Sequence, residues 1–304
     1  MKLVIFLAIF YKIVEMSFIF NIKNGIIDTS RKRNLLIKQI EVMNRILCLN
    51  FCQTSKPCFY VSMNYSICSL YSFYAKFFVK NGTSEVIYEK ISNDNFGLIN
   101  YWPIENGETR DLVTSKDLFD SNNASFTQDR FGFDNSSLYF NNGYINAPSG
   151  IYFGTEFTVL AWVKLKNYLE WQRLFDFGNG RENDNVCFSL SKSNSEPNVS
   201  IAIFNGTNLE YLETNYLKLN EWYQLGFKLE NSIVSIFFND VKMASSEINI
   251  SGAKSVIRGK NYFGKSNWNE HEYKKGQFEL DEVKFFEKGL LDSEIESEFK
   301  RGYH

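Results

Sequence analysis

Six Asn-Gly pairs punctuate the chain, at Asn24, Asn81, Asn106, Asn142, Asn179 and Asn205. Both residues tolerate positive φ, which makes Asn-Gly the strongest short-range signal for a two-residue hairpin turn. Asn is abundant, 33 of 304 residues, and aromatic residues make up 17 %. Aromatic side chains suit the pleated, half-buried surface of a sheet. With 44 % hydrophobic and 22 % charged residues, the chain has the composition of a folded globular protein. A β-rich fold is expected, as one large domain or two ordinary ones. The formal net charge is −2 and only 4 residues are Pro. The first leaves no basic footprint for nucleic acid, and the second excludes a Pro-rich stalk.

Lys2 followed by the apolar run Leu3 to Phe10 matches the opening of a secretory signal. Hydrophobicity continues to Phe20, but Lys12 and Glu15 interrupt it, and a membrane span needs about 20 mostly apolar residues. Residues 1–20 are expected to be a cleaved signal peptide. The protein is then secreted and extracellular, with no transmembrane span after cleavage. An uncleaved anchor, or a start misassigned upstream of Met16, are the alternatives. Asn-x-Ser/Thr acceptors at Asn64, Asn81, Asn123, Asn135, Asn198, Asn205 and Asn249 agree with an exported glycoprotein.

Cys48, Cys52, Cys58 and Cys68 crowd together, while Cys187 stands alone. The cluster reads as two disulfides or a four-thiolate zinc site. Zinc sites usually show tight Cys-x-x-Cys knuckles, absent here, and export favours disulfides. Spacing alone permits three pairings. Residues 30–52 read as a helix capped by Ser30 or Asn34, with Leu36, Ile40, Met43, Leu47 and Phe51 on one face. Cys48 and Cys52 then project from neighbouring turns. Cys58 to Tyr71 has strand-like composition. Cys187 reads as a small buried residue, the alternative being an intermolecular bridge.

The run Cys48-Leu-Asn-Phe-Cys52, then Cys58, then Cys68-Ser-Leu-Tyr71, resembles the core of the PAN/apple module over roughly residues 25–92. The resemblance implies nested bridges, Cys48–Cys68 and Cys52–Cys58. It also implies protein or carbohydrate binding without catalysis. The outer bridge that many apple domains carry has no cysteines here. The alternative is a small disulfide knot that only spaces the next domain.

Beyond a polar junction at 93–100, strand follows strand. Phe157 to Lys164 alternates, with Phe157, Val159, Ala161 and Val163 on one face and Thr158, Leu160, Trp162 and Lys164 on the other. Strands follow at 185–191, 199–204, 221–229, 232–238, 241–244 and 276–286. Such spacing argues for a sandwich or barrel. Asp292 can cap a terminal helix with Glu294 and Glu296 in its first turn. The fold expected is mainly β: a two-sheet antiparallel jelly-roll sandwich over 97–304 with a short C-terminal helix, preceded by a small disulfide-stapled α+β module.

The closing segment Gly276-Gln-Phe-Glu-Leu-Asp281-Glu282-Val-Lys-Phe-Phe286, continuing to Glu294-Ile295, resembles the last strand and helix of laminin-G-like and pentraxin-like jelly rolls. These belong to the concanavalin A-like lectin/glucanase superfamily. Tyr101-Trp102-Pro103, Phe157-Thr158 with Trp162-Val163, Asn220-Glu221-Trp222-Tyr223 and Asn261-Tyr262-Phe263-Gly264 resemble its other pieces, in order. The resemblance implies that Asp281 supports a structural calcium or hydrogen-bonds the N-terminal strand.

Retaining glycosidases need two carboxylates about 5–5.5 Å apart. The nearest match to the glucanase Glu-x-Asp-x-x-Glu pattern is Glu279-Leu-Asp281-Glu282-Val-Lys284, where the last acid is a lysine and strict alternation turns Glu282 away from Glu279. The only histidines are His271 and His304, a poor basis for a nucleophile relay. No enzyme is expected.

Two loops are candidate binding elements. Lys265 to Lys275 holds Trp268 and Tyr273, and an exposed Trp among polar residues suits the apolar face of a sugar. Asn179 to Asn185 is acidic and polar. The expected function is non-catalytic binding of a glycan or extracellular-matrix protein by the jelly roll, with the PAN-like module as second contact. Calcium is the one cofactor under consideration. The alternative is a self-assembling matrix component, and a glycoside hydrolase is a distant third.

Overall fold

Asn44 decides where the first helix begins. In the computed structural model its side-chain oxygen accepts from the Leu47 N–H at 3.0 Å, satisfying one of the free donors of a first turn. The structure describes residues 20–28, 35–55, 58–90, 96–205, 208–249, 253–268 and 276–303. The signal expected over 1–20 lies almost wholly outside them. Among the described residues no helix is long and apolar enough to cross a membrane. Two compact units emerge, residues 1–95 with 300–304, and residues 96–299.

In the first unit, β1 (Phe20–Ile27), β2 (Leu36–Glu41), β3 (Tyr60–Asn64), β4 (Ile67–Tyr71) and β5 (Val79–Lys90) form an antiparallel sheet in the order β1-β5-β3-β4-β2. Helix α1 is Arg45–Thr54. This corrects the helix expected over 30–52. Leu36 to Glu41 is a strand paired to β4, with Ile40 opposite Cys68. The expected apolar stripe faces water, Met43 at 97 % exposure and Leu47 and Phe51 beyond a third. The buried side of α1 is Cys48, Leu49 and Cys52. Disulfides Cys48–Cys68 and Cys52–Cys58 are nested and hold that side toward the sheet. Covalent staples, rather than the helical apolar period, orient this helix.

The second unit contains β6 (Leu98–Trp102), β7 (Phe119–Thr127), β8 (Ser137–Ala147), β9 (Phe157–Leu165), β10 (Gln172–Gly178), β11 (Val186–Ser191) and β12 (Asn198–Asn205). They are followed by β13 (Asn208–Tyr216), β14 (Trp222–Glu230), β15 (Ile233–Phe238), β16 (Val241–Glu247), β17 (Lys260–Phe263) and β18 (Gly276–Phe286). One hydrogen-bonded path runs β13-β12-β11-β10-β17-β8-β18-β9-β14-β15-β16, with β6 on β18 and β7 on β8. It folds back into two antiparallel layers, the expected sandwich. Between them lies an aromatic core. Phe177 of β10 stacks on Phe285 of β18 with centroids 5.4 Å apart, and Phe188 of β11 meets Phe227 of β14 at 6.1 Å. Such pairs add to the burial of their area.

Both faces of β9 are buried. Phe157, Val159, Ala161 and Val163 enter the core. On the other face, the C-terminal helix α2 (Asp292–Tyr303) stacks Phe299 on Trp162 at 5.8 Å and pairs Glu298 with Lys284 at 2.8 Å. The Leu291 N–H is capped by Glu294 at 2.8 Å, while Asp292 is held by Lys228 and Lys242.

The Asn-Gly pairs divide. Asn106-Gly107 forms a turn with both residues at positive φ, Asn179-Gly180 follows β10, and Asn205 ends β12. Asn24-Gly25, Asn81-Gly82 and Asn142-Gly143 lie inside strands. At Gly143 a Cβ would stand 2.2 Å from the Asn123 carbonyl oxygen, so glycine there admits close approach of β7.

Candidate functional site

The strand faces turned away from the core build a groove. Pairing aligns Asp176, Cys187, Ala202 and Tyr211 in one row across β10 to β13. A second row runs Arg173, Ser189, Ser200 and Glu213. A register shift between Arg173 and Phe175 lets Arg173 share a face with Asp176 while Leu174 and Phe175 enter the core. Ala202 keeps the floor low. The groove has a volume of about 480 Å³ and is lined by Trp171, Arg173, Ala202, Phe204, Tyr211 and Trp268, with Glu182 and Leu209 at its margins.

Asp176 organises the walls. It is fully buried and accepts from Asn185 Nδ2 at 2.7 Å, from Asn267 N and Nδ2 at 2.7 and 2.9 Å, and from Ser266 Oγ at 3.3 Å. One carboxylate thereby clamps the loop after β10 and the segment after β17. Trp268, next to Asn267, is set half-buried beside Phe204 with centroids 5.5 Å apart. Trp171 holds φ at +48°, an outlier for so bulky a residue. Its N–H donates to the Lys192 carbonyl at 2.8 Å. Strained backbone of this kind concentrates at ligand sites.

The Arg173 guanidinium carbon lies 5.4 Å from the Trp171 ring and 5.6 Å from the Trp268 ring, within cation–π range. Its Nη1 donates to Ser189 Oγ. On the far wall the Tyr211 hydroxyl donates to Glu213 at 2.9 Å, and Lys192 pairs with Glu213 at 3.1 Å. These bonds hold the Glu213 carboxyl below its ordinary value. Burial, followed by Glu213, pushes the Tyr211 phenol up. Stacking rings beside hydroxyl, carboxylate and guanidinium groups suit a ligand with apolar faces and a polar rim.

Trp268 is thus in the groove. Tyr273 and His271 lie outside the described residues. From the loop Asn179 to Asn185, Glu182 reaches the margin, Asn185 supports Asp176, and Asp184 pairs with Lys254 at 2.9 Å. Trp171, Arg173 and Tyr211 escaped sequence reasoning. Alternation of Leu209, Tyr211 and Glu213 signals a strand face, but nothing local connects it to Trp268. Among the sequon residues Asn64, Asn81, Asn123, Asn135 and Asn249 are exposed, whereas Asn198 and Asn205 are half-buried. A larger hollow of about 820 Å³ runs past Ile151, Tyr152 and Glu156. Its aromatic residues Tyr152 and Phe153 are buried and offer no open ring face.

Asp281 lies elsewhere, in a bulge of β18 where pairing to β9 slips and Glu282 takes φ +47°. The bulge overrides strict alternation and brings Asp281 and Glu282 to the same guanidinium, Arg130, each at 2.5 Å. Calcium takes six to eight oxygens. The residues at Asp281 do not fit that set, because a guanidinium supplies the positive charge. Among the described residues no three His, Cys, Asp or Glu gather to hold a metal. Glu279 is paired with Lys164 and Lys166 at 2.5 and 2.6 Å.

The model of a laminin-G-type family, described as the concanavalin A-like lectin/glucanases superfamily, matches residues 140–296. The chain belongs to this superfamily. The match contains every described residue lining the groove. Among solved structures, this concanavalin A-like chain is similar to domain 4 of AbnA, a GH43 extracellular arabinanase from Geobacillus stearothermophilus in complex with arabinotriose. The TM-score is 0.51 at 16 % identity, over 66 % of this chain and 97 % of that one. It is similar to the binding domain of Paraclostridial Mosquitocidal Protein 1, with TM-score 0.51 and 16 % identity over 67 % of this chain and 52 % of that one. It is also similar to the botulinum neurotoxin serotype D ligand binding domain in complex with N-acetylneuraminic acid, with TM-score 0.50 and 12 % identity over 67 % and 50 %. The likeness is one of fold, and the chain spans about half of each toxin domain. No curated protein sequence matches it.

Proposed function

We propose that this chain is a non-catalytic carbohydrate-binding protein, and that the groove over β10 to β13 holds the sugar. The observation that carries the reading is the convergence of Trp171, Tyr211 and Trp268 around Ala202. Aromatic rings supply apolar faces for sugar stacking, and the groups between them supply hydrogen bonds. The arabinotriose and N-acetylneuraminic acid in two structures of this fold support a saccharide as the ligand class. The cations on Glu279, Asp281 and Glu282 support binding over glycoside hydrolysis at that strand.

The disulfide-stapled first unit, read as a PAN/apple-like module, adds a second contact on a secreted, glycosylated chain. Weak sites on one chain gain from effective concentration. Burial of Cys187 removes one motive for the self-assembling alternative. The test is a glycan array probed with the full chain, with calcium and with chelator, beside Trp171→Ala and Trp268→Ala. The expected result is chelator-insensitive binding to a saccharide set that both variants lose. Binding untouched by both substitutions would overturn the assignment of the groove.

A further inference from the structure

We infer that the groove selects a sugar bearing a carboxylate, and that Arg173 reads it. This rests on the groove being the sugar site. Arg173 is 9 % exposed. Nη1 is taken by Ser189, while Nε, buried, and Nη2 have no hydrogen-bond partner among the described residues. A guanidinium removed from water without an anion is costly, and the chain supplies anions to comparable cations. Arg130 has Asp281 and Glu282, Lys228 has Glu230 and Asp292, and Lys284 has Glu298. Arg258 donates instead to the main-chain carbonyls of Asp184, Val256 and Lys254.

Among the described residues, the acids near Arg173 have other partners. Asp176 is saturated by Asn185, Ser266 and Asn267. Glu182 is 3.3 Å from Arg181, and Glu213 is paired with Lys192. Arg173 thus forms no ion pair among the described residues. Its two unpaired groups, Nε–H and Nη2–H, form one planar edge of the guanidinium. Of the two, Nη2–H is the one not sealed from the groove, and it can donate a charge-assisted hydrogen bond to a carboxylate oxygen. The rings of Trp171 and Trp268 flank the same guanidinium. A sugar stacked on either ring turns its carboxylate toward Arg173. Hexuronates and sialic acids share this chemistry.

The test titrates the full chain, following tryptophan fluorescence, with 3′-sialyllactose and trigalacturonate against lactose and methyl-esterified trigalacturonate. A charge-assisted pair predicts about a 10- to 100-fold preference for at least one acid over its neutral counterpart. Arg173→Gln should abolish the preference, whereas Trp268→Ala should weaken acid and neutral forms alike. If Arg173→Gln fails to fold, the wild-type acid and ester pair decides, with added salt expected to erode only acid binding. Equal affinity for acid and neutral forms would overturn this inference and leave the sugar groove standing, as would a preference that survives in Arg173→Gln. No binding of any of the four saccharides would overturn the inference together with the groove reading.

Discussion

Arg130 places Nη1 2.5 Å from Asp281 Oδ2, across 151 positions of sequence. Its other terminal nitrogen holds Glu282, and its carbon lies 4.4 Å from the Trp162 ring. Two buried acids and one cation thus lock the bulge of β18 to the segment after β7. Removing one member of a buried ion network costs about 3–5 kcal/mol, because the remaining charges stay desolvated. Arg130→Met should lower the urea-unfolding free energy by that amount. The triple variant Arg130→Met, Asp281→Asn, Glu282→Gln should lose less. Chelator should leave the melting temperature unchanged.

Ala202 sits on the groove floor, opposite Tyr211 on β13. Ala202→Leu should fill the space between the rings and weaken saccharide binding at least about 10-fold. The change lies outside the aromatic core, so stability should move by no more than about 0.5 kcal/mol. Calorimetric titration and thermal melting on one sample separate the two effects.

Glu89 accepts from Tyr60 and pairs with Lys23, each at 2.5 Å. Burial pushes its carboxyl up, but the bonds from Lys23 and Tyr60 outweigh burial and hold it below the ordinary value of 4.5. The unfolded chain therefore binds the proton more readily than the folded one. Stability from this group is complete above the unfolded value and lost as pH falls through the folded one. Urea midpoints of the first unit should fall below about pH 5, and more shallowly in Glu89→Gln.

Cys187 lies directly beneath the groove, fully buried and opposite Ala202. Burial and the neighbouring Asp176 carboxylate raise its thiol well above the ordinary range. Thiolate is the reactive form. A disulfide reagent should find no reactive thiol in the folded protein and one after unfolding in guanidinium. Reaction with the folded chain would show that the sheet beneath the groove opens.

Much of the architecture is legible in the linear pattern because the relevant information is local. Alternation along Phe157 to Lys164, and the Gly276 to Phe286 run with its following helix, define strands and their closing helix without knowledge of partners. Asn-Gly pairs report only that positive φ is permitted. Whether that closes a hairpin, as at Asn106, or kinks a strand, as at Asn142, depends on what lies alongside. The same limit misplaced the first helix. Leu36, Ile40, Met43, Leu47 and Phe51 keep a helical period, but β4 claims Leu36 and Ile40 as a strand and two disulfides turn the remaining face outward.

Trp268 was readable as an aromatic in a polar loop. Its companions were not. The bulge at Arg173 breaks the alternation of β10, so the outward arginine hides among core residues. Trp171 and Trp268 both reach Arg173 because β17 pairs beside β10 and Asp176 holds the segment that carries Trp268. Asp281 carried its charge in plain view, yet the ion that answers it is Arg130, supplied from a distant segment. Residue chemistry and backbone preference are properties of short stretches and can be read from them. The groove and the ion network are set by long-range strand pairing, where a single bulge decides which face a side chain joins.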